Sequence, residues 1–227
     1  MKAPIELVAL DMAGTTIDDG GAVYEALRGA VEDAGAAVAQ DDLQVWMGTD
    51  KVEAITNLLR LGGLEPTGER VTAGFARFRE RLQEAYIQAP PTPIAGVPEA
   101  LAELRRRGVK VALTTGFDDA VAHPLLAAIG WDVGGVVDAV VTTSDVAAGR
   151  PAPYMIHRAM ERTGVRDVRR VLAAGDTAVD VEAANNAGAV SVGVLTGKAA
   201  PDVLAEAGAA HVLGGVVDLP ALLLPQR

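Results

Sequence analysis

Three short polar clusters hold the residues whose types and spacing could do chemistry. They are Asp11-Met12-Ala13-Gly14-Thr15-Thr16, Thr114-Thr115-Gly116 and Gly175-Asp176-Thr177-Ala178-Val179-Asp180. Asp11 and Asp176 supply hard carboxylate oxygens of the kind that hold Mg²⁺. Gly14, Thr15 and Thr16 offer backbone donors and hydroxyls, as does Thr115, and such groups can hold a phosphoryl oxygen. Arg150, in Gly149-Arg150-Pro151, is suited to stabilising negative charge. Taken singly, each has an ordinary reading. An Asp after a strand commonly caps a turn or helix, and an Arg before Pro is commonly a solvated loop charge. Their order and strand context together carry the argument.

Each cluster directly follows an apolar run that reads as a β-strand. Runs at 5–10, 109–113, 136–141, 170–174 and 190–194 are apolar almost continuously rather than alternately. That pattern suits parallel strands covered on both faces. Helices are expected between them at 98–107, 118–129, 153–163 and 177–187; the first has Pro98 at its start and Gly108 just past its end. From about residue 90 onward the order is β then α, repeated, which predicts an α/β fold with an open parallel, Rossmann-like sheet. Carboxyl ends of parallel strands share one edge, and ligands bind there. Residues more than a hundred positions apart are therefore expected to converge.

Residues 18–90 contain no convincing strand. Val23, Leu27, Val31 and Ala34 recur at helical spacing, as do Val71, Phe75, Phe78 and Leu82. Pro90-Pro91-Thr92-Pro93 then makes a stiff connection. The expected organisation is a core of 1–17 and 91–227 with an inserted all-helical domain at 18–90.

Composition narrows the function classes. With 227 residues, 20 basic against 30 acidic side chains and a net charge of −10, the chain lacks the basic face of a nucleic-acid binder. It has no cysteine, so no disulfide and no thiolate metal site can form. Half its residues are hydrophobic, ample for a core. No apolar run approaches a membrane span, and the first residues lack the features of a signal peptide, so a cytoplasmic location is expected. His123, His157 and His211 are scattered and suggest no metal site.

In this order and context the motifs resemble the haloacid dehalogenase superfamily over nearly the whole chain. Residues 11–16 match its nucleophile motif, Thr115 the second motif, Gly149-Arg150-Pro151 the third, and residues 175–180 the fourth. The helical insert stands where that superfamily places its cap. The resemblance implies that Asp11 attacks phosphorus to give an aspartyl-phosphate. It further implies that Asp11, the Ala13 carbonyl and Asp176 hold Mg²⁺, with Asp180 as ligand or support.

Phosphomonoesterases of this superfamily carry a second Asp two residues after the nucleophile, as general acid; here the position is Ala13. A positioned acid contributes roughly 10²–10⁴-fold. Phosphonoacetaldehyde hydrolases (phosphonatases), which break a P–C bond, share the D-x-A-G-T-T form. They form an imine with a cap lysine in an M-G-x-x-K segment, which Met47-Gly48-Thr49-Asp50-Lys51 fits. On a helix over 50–61, Lys51 lies above Ile55 and Leu58 in the first turn, where burial and the helix dipole both disfavour an ammonium. Two positions depart from the phosphonatase pattern: Ala54 stands for its histidine and Phe117 for its tyrosine.

The leading expectation is thus a Mg²⁺-dependent, phosphonatase-like hydrolase of a small phosphonate or phosphate compound. Asp11, Lys51, Thr115 and Arg150 would be its catalytic residues. Substrate contacts are expected from Gly14, Thr15, Thr16, Met47, Gly48, Thr114 and Gly116. A phosphomonoesterase is the alternative, ahead of a 2-haloacid dehalogenase, which needs no Mg²⁺, and a non-catalytic phosphate-binding module. By resemblance, a homodimer through the cap is expected.

Overall fold

Strands that are apolar on both faces need cover on both sides, and only helices packed above and below a parallel sheet supply it. The computed structural model describes residues 4–223. In chain order the elements are β1 (Leu7–Asp11), β2 (Ile17–Asp18), α1 (Ala22–Asp33), α2 (Gln40–Val45), α3 (Lys51–Leu61), α4 (Gly68–Gln88), β3 (Thr92–Pro93), α5 (Val97–Arg106), β4 (Lys110–Thr114), α6 (Asp119–Ala128), β5 (Ala139–Val141), α7 (Tyr154–Thr163), β6 (Val171–Gly175), α8 (Ala178–Ala187), β7 (Val190–Val194), α9 (Pro201–Glu206), β8 (His211–Leu213) and α10 (Leu219–Leu223). They form two compact units, one reaching to Asp18 and resuming at Thr92, the other Asp19–Pro91.

The first unit holds a six-stranded parallel sheet in the order β5-β4-β1-β6-β7-β8. On one face Leu7, Ala9, Ala112, Val141, Val171 and Ala173 pack with Met155, Ile156 and Ala159 of α7 and with Ala183, Ala184 and Ala187 of α8. Val8, Leu10, Val111, Leu113 and Leu172, which point to the other face, are equally buried. There α5 lies on β4 with Leu101 and Leu104 buried. Each such leucine stabilises the fold by roughly 1.5–3 kcal/mol.

The register places the site. β1 lies between β4 and β6, with Asp11 opposite Thr114 and Leu10 opposite Ala174. The three strands therefore end together, and the first and third polar clusters sit at the ends of β1 and β6, with Thr114 at the end of β4.

The sheet departs from the sequence expectation in three places. The run at 136–141 keeps only β5 as strand, because Gly134 donates to the Val137 carbonyl and turns the chain back. The edge strand β8 is too short and too exposed to register as an apolar run. The segment read as a stiff proline connection contributes β3, which pairs antiparallel with β2.

The second unit is helical throughout. α1 packs on α4, and α3 packs on both. Its core includes Val23, Leu27 and Val31 of α1, Ile55, Leu58 and Leu59 of α3, and Phe78 and Leu82 of α4. At the α1–α4 contact the Arg81 guanidinium lies over Gly29, 2.6 Å from where a Cβ would stand. Among the described residues no helix is long and apolar enough to cross a membrane.

Candidate active site

Asp11 is the last residue of β1, and the chain turns sharply after it. The Met12 carbonyl accepts from the amides of Thr15, Thr16 and Ile17 at 3.3, 2.9 and 2.9 Å, and Gly14 donates to the Ile17 carbonyl at 2.8 Å. Gly14 adopts φ +85°, a conformation that favours glycine. The Thr16 hydroxyl donates to the Asp11 carbonyl at 2.9 Å, and the Thr15 hydroxyl to Asp176 Oδ1 at 3.0 Å. The Gly14, Thr15 and Thr16 groups read from sequence as phosphoryl donors are thus engaged within the protein. These bonds hold the loop and link it to Asp176.

Arg150 is the hub of the site. Its Nη1 donates to Asp11 Oδ1 at 2.7 Å and its Nε to Asp180 Oδ1 at 2.9 Å. Its Nη2 donates to the Thr114 carbonyl at 3.0 Å and hydroxyl at 2.8 Å. All three side chains of this ion-pair group are buried. Asp180 is fixed from its own helix as well: its Oδ2 accepts from the Thr177 amide and hydroxyl in a capping box that starts α8. Both Asp180 oxygens are thus engaged, one with Arg150 and one with the start of α8. Gly175 makes room for it, since a Cβ there would lie 2.2 Å from the Asp180 carboxyl carbon.

Three buried carboxylates, Asp11, Asp176 and Asp180, surround one guanidinium, an excess of two negative charges when all are ionised. The titration behaviour follows. Burial pushes the Asp11 carboxyl up to about 6, with Arg150 opposing and Asp180 adding to the rise. Burial, then the charges of Asp11 and Asp180, hold Asp176 well above the ordinary carboxylate range. Arg150 loses some ease of protonation to burial but gains more from Asp180 and Asp11, so it stays charged.

That excess charge is a test of fit for a divalent cation, and Mg²⁺ passes it. Among the described residues no three His, Cys, Asp or Glu side chains group as a metal cage. Mg²⁺ does not need one: it keeps several waters and takes one or two carboxylates with substrate oxygens. Asp11 and Asp176 provide such a pair, and the Ala13 carbonyl lies in the turn between Asp11 and Gly14.

Thr115 donates its amide to Val141 and accepts the Phe117 amide on its hydroxyl at 3.2 Å, which fixes the chain through Gly116 after β4. Phe117 is buried.

In the helical unit, Met47 is buried and Gly48 adopts φ +79° just before α3. Asp50 caps α3 by accepting the Glu53 amide at 2.9 Å. Lys51, the first helical residue, is only 4% exposed, and its Nζ donates to the Thr49 carbonyl at 3.0 Å. Ala54 is fully buried on the same helix. The sequence reading passed over Thr196 and Gly197. They follow β7 at the same sheet edge; the polar-cluster-after-a-strand rule points to Thr196 but gives no sign of what Gly197 does.

A family model described as haloacid dehalogenase-like hydrolase matches residues 5–188. The chain is 33% identical over 204 residues to the phosphonoacetaldehyde hydrolase of Bacillus cereus, covering 85% of this chain and 76% of that protein. Among solved structures, a phosphonoacetaldehyde hydrolase-like protein from Oleispira antarctica superposes with a TM-score of 0.84 at 26% identity, covering 98% of this chain and 92% of that one. A hydrolase from Pseudomonas syringae superposes with a TM-score of 0.86 at 23% identity, covering 96% and 97%, a likeness of fold.

Proposed function

We propose, since the chain belongs to the haloacid dehalogenase-like hydrolases, that it is a Mg²⁺-dependent, phosphonatase-like enzyme acting on a small phosphonate or phosphate compound. The observation that carries this reading is the buried Asp11–Arg150–Asp180 cluster with Asp176, at a strand end where the second residue after Asp11 is Ala13. Such a site has a nucleophile and charge to place around phosphorus, but no neighbouring acid for a leaving alkoxide.

Asp11 is the nucleophile in this account. Arg150 holds its Oδ1 and sets the carboxylate plane, leaving the other oxygen to attack phosphorus and form an aspartyl-phosphate that water then hydrolyses. Mg²⁺, held by Asp11, Asp176 and the Ala13 carbonyl, would neutralise charge on the phosphoryl oxygens during transfer. Thr114, Thr115 and Gly116 shape the neighbouring strand end. For a phosphonate bearing an aldehyde, the Lys51 amine condenses with the carbonyl, losing water to give an imine. When the P–C bond breaks, its electron pair passes to carbon and delocalises onto the protonated imine nitrogen as a neutral enamine, which is then protonated on carbon and hydrolysed to release the aldehyde and Lys51. No general acid is then needed, which accounts for Ala13. Lys51 is buried at the first position of α3, where the M-G-x-x-K resemblance places the imine-forming lysine.

The buried Ala54 favours a second reading, cleavage of a phosphate ester, because no histidine stands there to move protons for an imine. A panel of phosphonates and phosphate esters, assayed for phosphate release with Mg²⁺ and with chelator, separates the two. The first reading expects P–C cleavage, loss of activity in Lys51→Arg, and permanent inactivation when borohydride is added with an aldehyde-bearing phosphonate. The reduced adduct should map to the peptide containing Lys51. Ester turnover that is untouched by Lys51→Arg and borohydride supports the second reading. Full turnover in chelator contradicts both.

A further inference from the structure

The loop after β7 touches the site at two atoms. Thr196 Oγ1 donates to the Gly14 carbonyl at 2.6 Å, tying the turn after Asp11 to a segment 182 residues away. Next to it, a Cβ added at Gly197 would stand 1.8 Å from Asp176 Oδ2 and 2.4 Å from its carboxyl carbon. Gly197 is not among the glycines with positive φ, so its backbone would accept any residue. What this position needs is the absence of a side chain. Gly14 flanks the same oxygen from another loop, its own Cβ position lying 2.7 Å from Asp176 Oδ2. Asp176 therefore sits in a slot between two glycines, with Oδ1 anchored by Thr15.

We infer that Thr196 and Gly197 are positioning residues of this hydrolase: Gly197 seats the Asp176 carboxylate, and Thr196 holds the turn that carries the nucleophile. Neither touches the reacting atoms. This rests on the proposed Mg²⁺ site, to which Asp176 would contribute a carboxylate oxygen. Any side chain at 197 displaces that carboxylate, since real Cβ contacts do not come under 3.0 Å. Loss of the Thr196 hydroxyl frees the Gly14 carbonyl and lets the turn shift relative to Arg150. Supporting partners of this kind are worth roughly 10–100-fold in metal affinity or activity.

The test compares Gly197→Ala, Thr196→Val and Thr196→Ser with the parent enzyme. Each is titrated with Mg²⁺ alone, read as the rise in unfolding midpoint above that in chelator, and assayed for kcat and KM. Gly197→Ala should keep the parent's circular dichroism and its midpoint in chelator, yet need about tenfold more Mg²⁺ for half the rise. Thr196→Val should lose about tenfold in kcat with little change in KM, and Thr196→Ser should restore it. A Gly197→Ala titration that coincides with the parent's overturns the inference, as does a Thr196→Ser variant no better than Thr196→Val. Should Gly197→Ala fail to fold, the Thr196 pair decides. A parent with no Mg²⁺ response overturns the metal reading itself and the Gly197 half of this inference, a result distinct from a loss confined to the variants.

Discussion

Asp33 in the helical unit and Asp11 in the sheet unit both bond arginine, yet their carboxyls move in opposite directions. Asp33 is held by Arg81 and Arg77 at 2.7 to 2.9 Å with its side chain 38% exposed, and hydrogen bonds from Arg81, then Arg77, pull it down to about 2. Asp11 receives an equally short bond from Arg150, but burial takes it up to about 6. Two features make the difference. Around Asp33 there are two guanidiniums to one carboxylate and water nearby. Around Arg150 there are three carboxylates to one guanidinium and almost no water. The first arrangement fastens α1 to α4; the second is a charge imbalance that raises the Asp11 and Asp176 carboxyls above their ordinary range. The same pair of residue types is an exposed structural fastening in one place and, in the other, the buried centre of the proposed reaction site.

The comparison breaks most visibly under Asp→Asn substitution. Asp11→Asn should lower turnover at least roughly 10³-fold with the fold intact, since the amide is a poor nucleophile. Asp33→Asn should leave turnover within about twofold. Steady-state phosphate release by the two purified variants checks this, and comparable losses in both would contradict the distinction.

Removing the arginines gives the next largest contrast. Arg150→Ala strips the one cation from a buried group and should cost about 3–5 kcal/mol. Arg81→Ala removes an exposed partner and should cost less than about 1 kcal/mol. Urea unfolding in the same buffer measures both.

The pH dependence of the metal-free protein is the subtlest test. Asp11 has a folded value of about 6, above its ordinary 3.8, so its contribution to stability is present below about pH 4 and is lost as pH rises through about 6. Asp33 behaves oppositely: its value of about 2 lies below the ordinary one, so its contribution is present at neutral pH and is lost as pH falls through that range. Unfolding free energies in chelator, taken from pH 4 to pH 7, should show the parent losing ground to Asp11→Asn as pH rises. A difference between them that stays flat with pH would contradict the burial argument.

Much of the sheet was legible because strands covered on both faces announce themselves as apolar runs closed by polar clusters. Asp11, Thr114 and Asp176 are brought to one edge by that rule alone. Lys51 was legible through the M-G-x-x-K pattern, and the helix expected over 50–61 is α3, which Asp50 caps. Three things escaped. β8 is short and half-exposed, so hydrophobicity gives it no signal. Spacing does not reveal how the turn after Asp11 closes on itself, with Gly14, Thr15 and Thr16 bonded within the protein. Gly197 matters through a side chain it lacks, and what an absent side chain would strike is written only in three dimensions.

The central claim is covalent chemistry at Asp11, and a rapid acid quench of the working enzyme tests it most directly. The enzyme, Mg²⁺ and whichever phosphonate or phosphate ester it turns over are mixed, quenched during the first turnover and digested for mass spectrometry. The account predicts a phosphoryl group on the peptide containing Asp11 and none in the Asp11→Asn variant. Brisk turnover with that peptide unmodified at every quench time would contradict it.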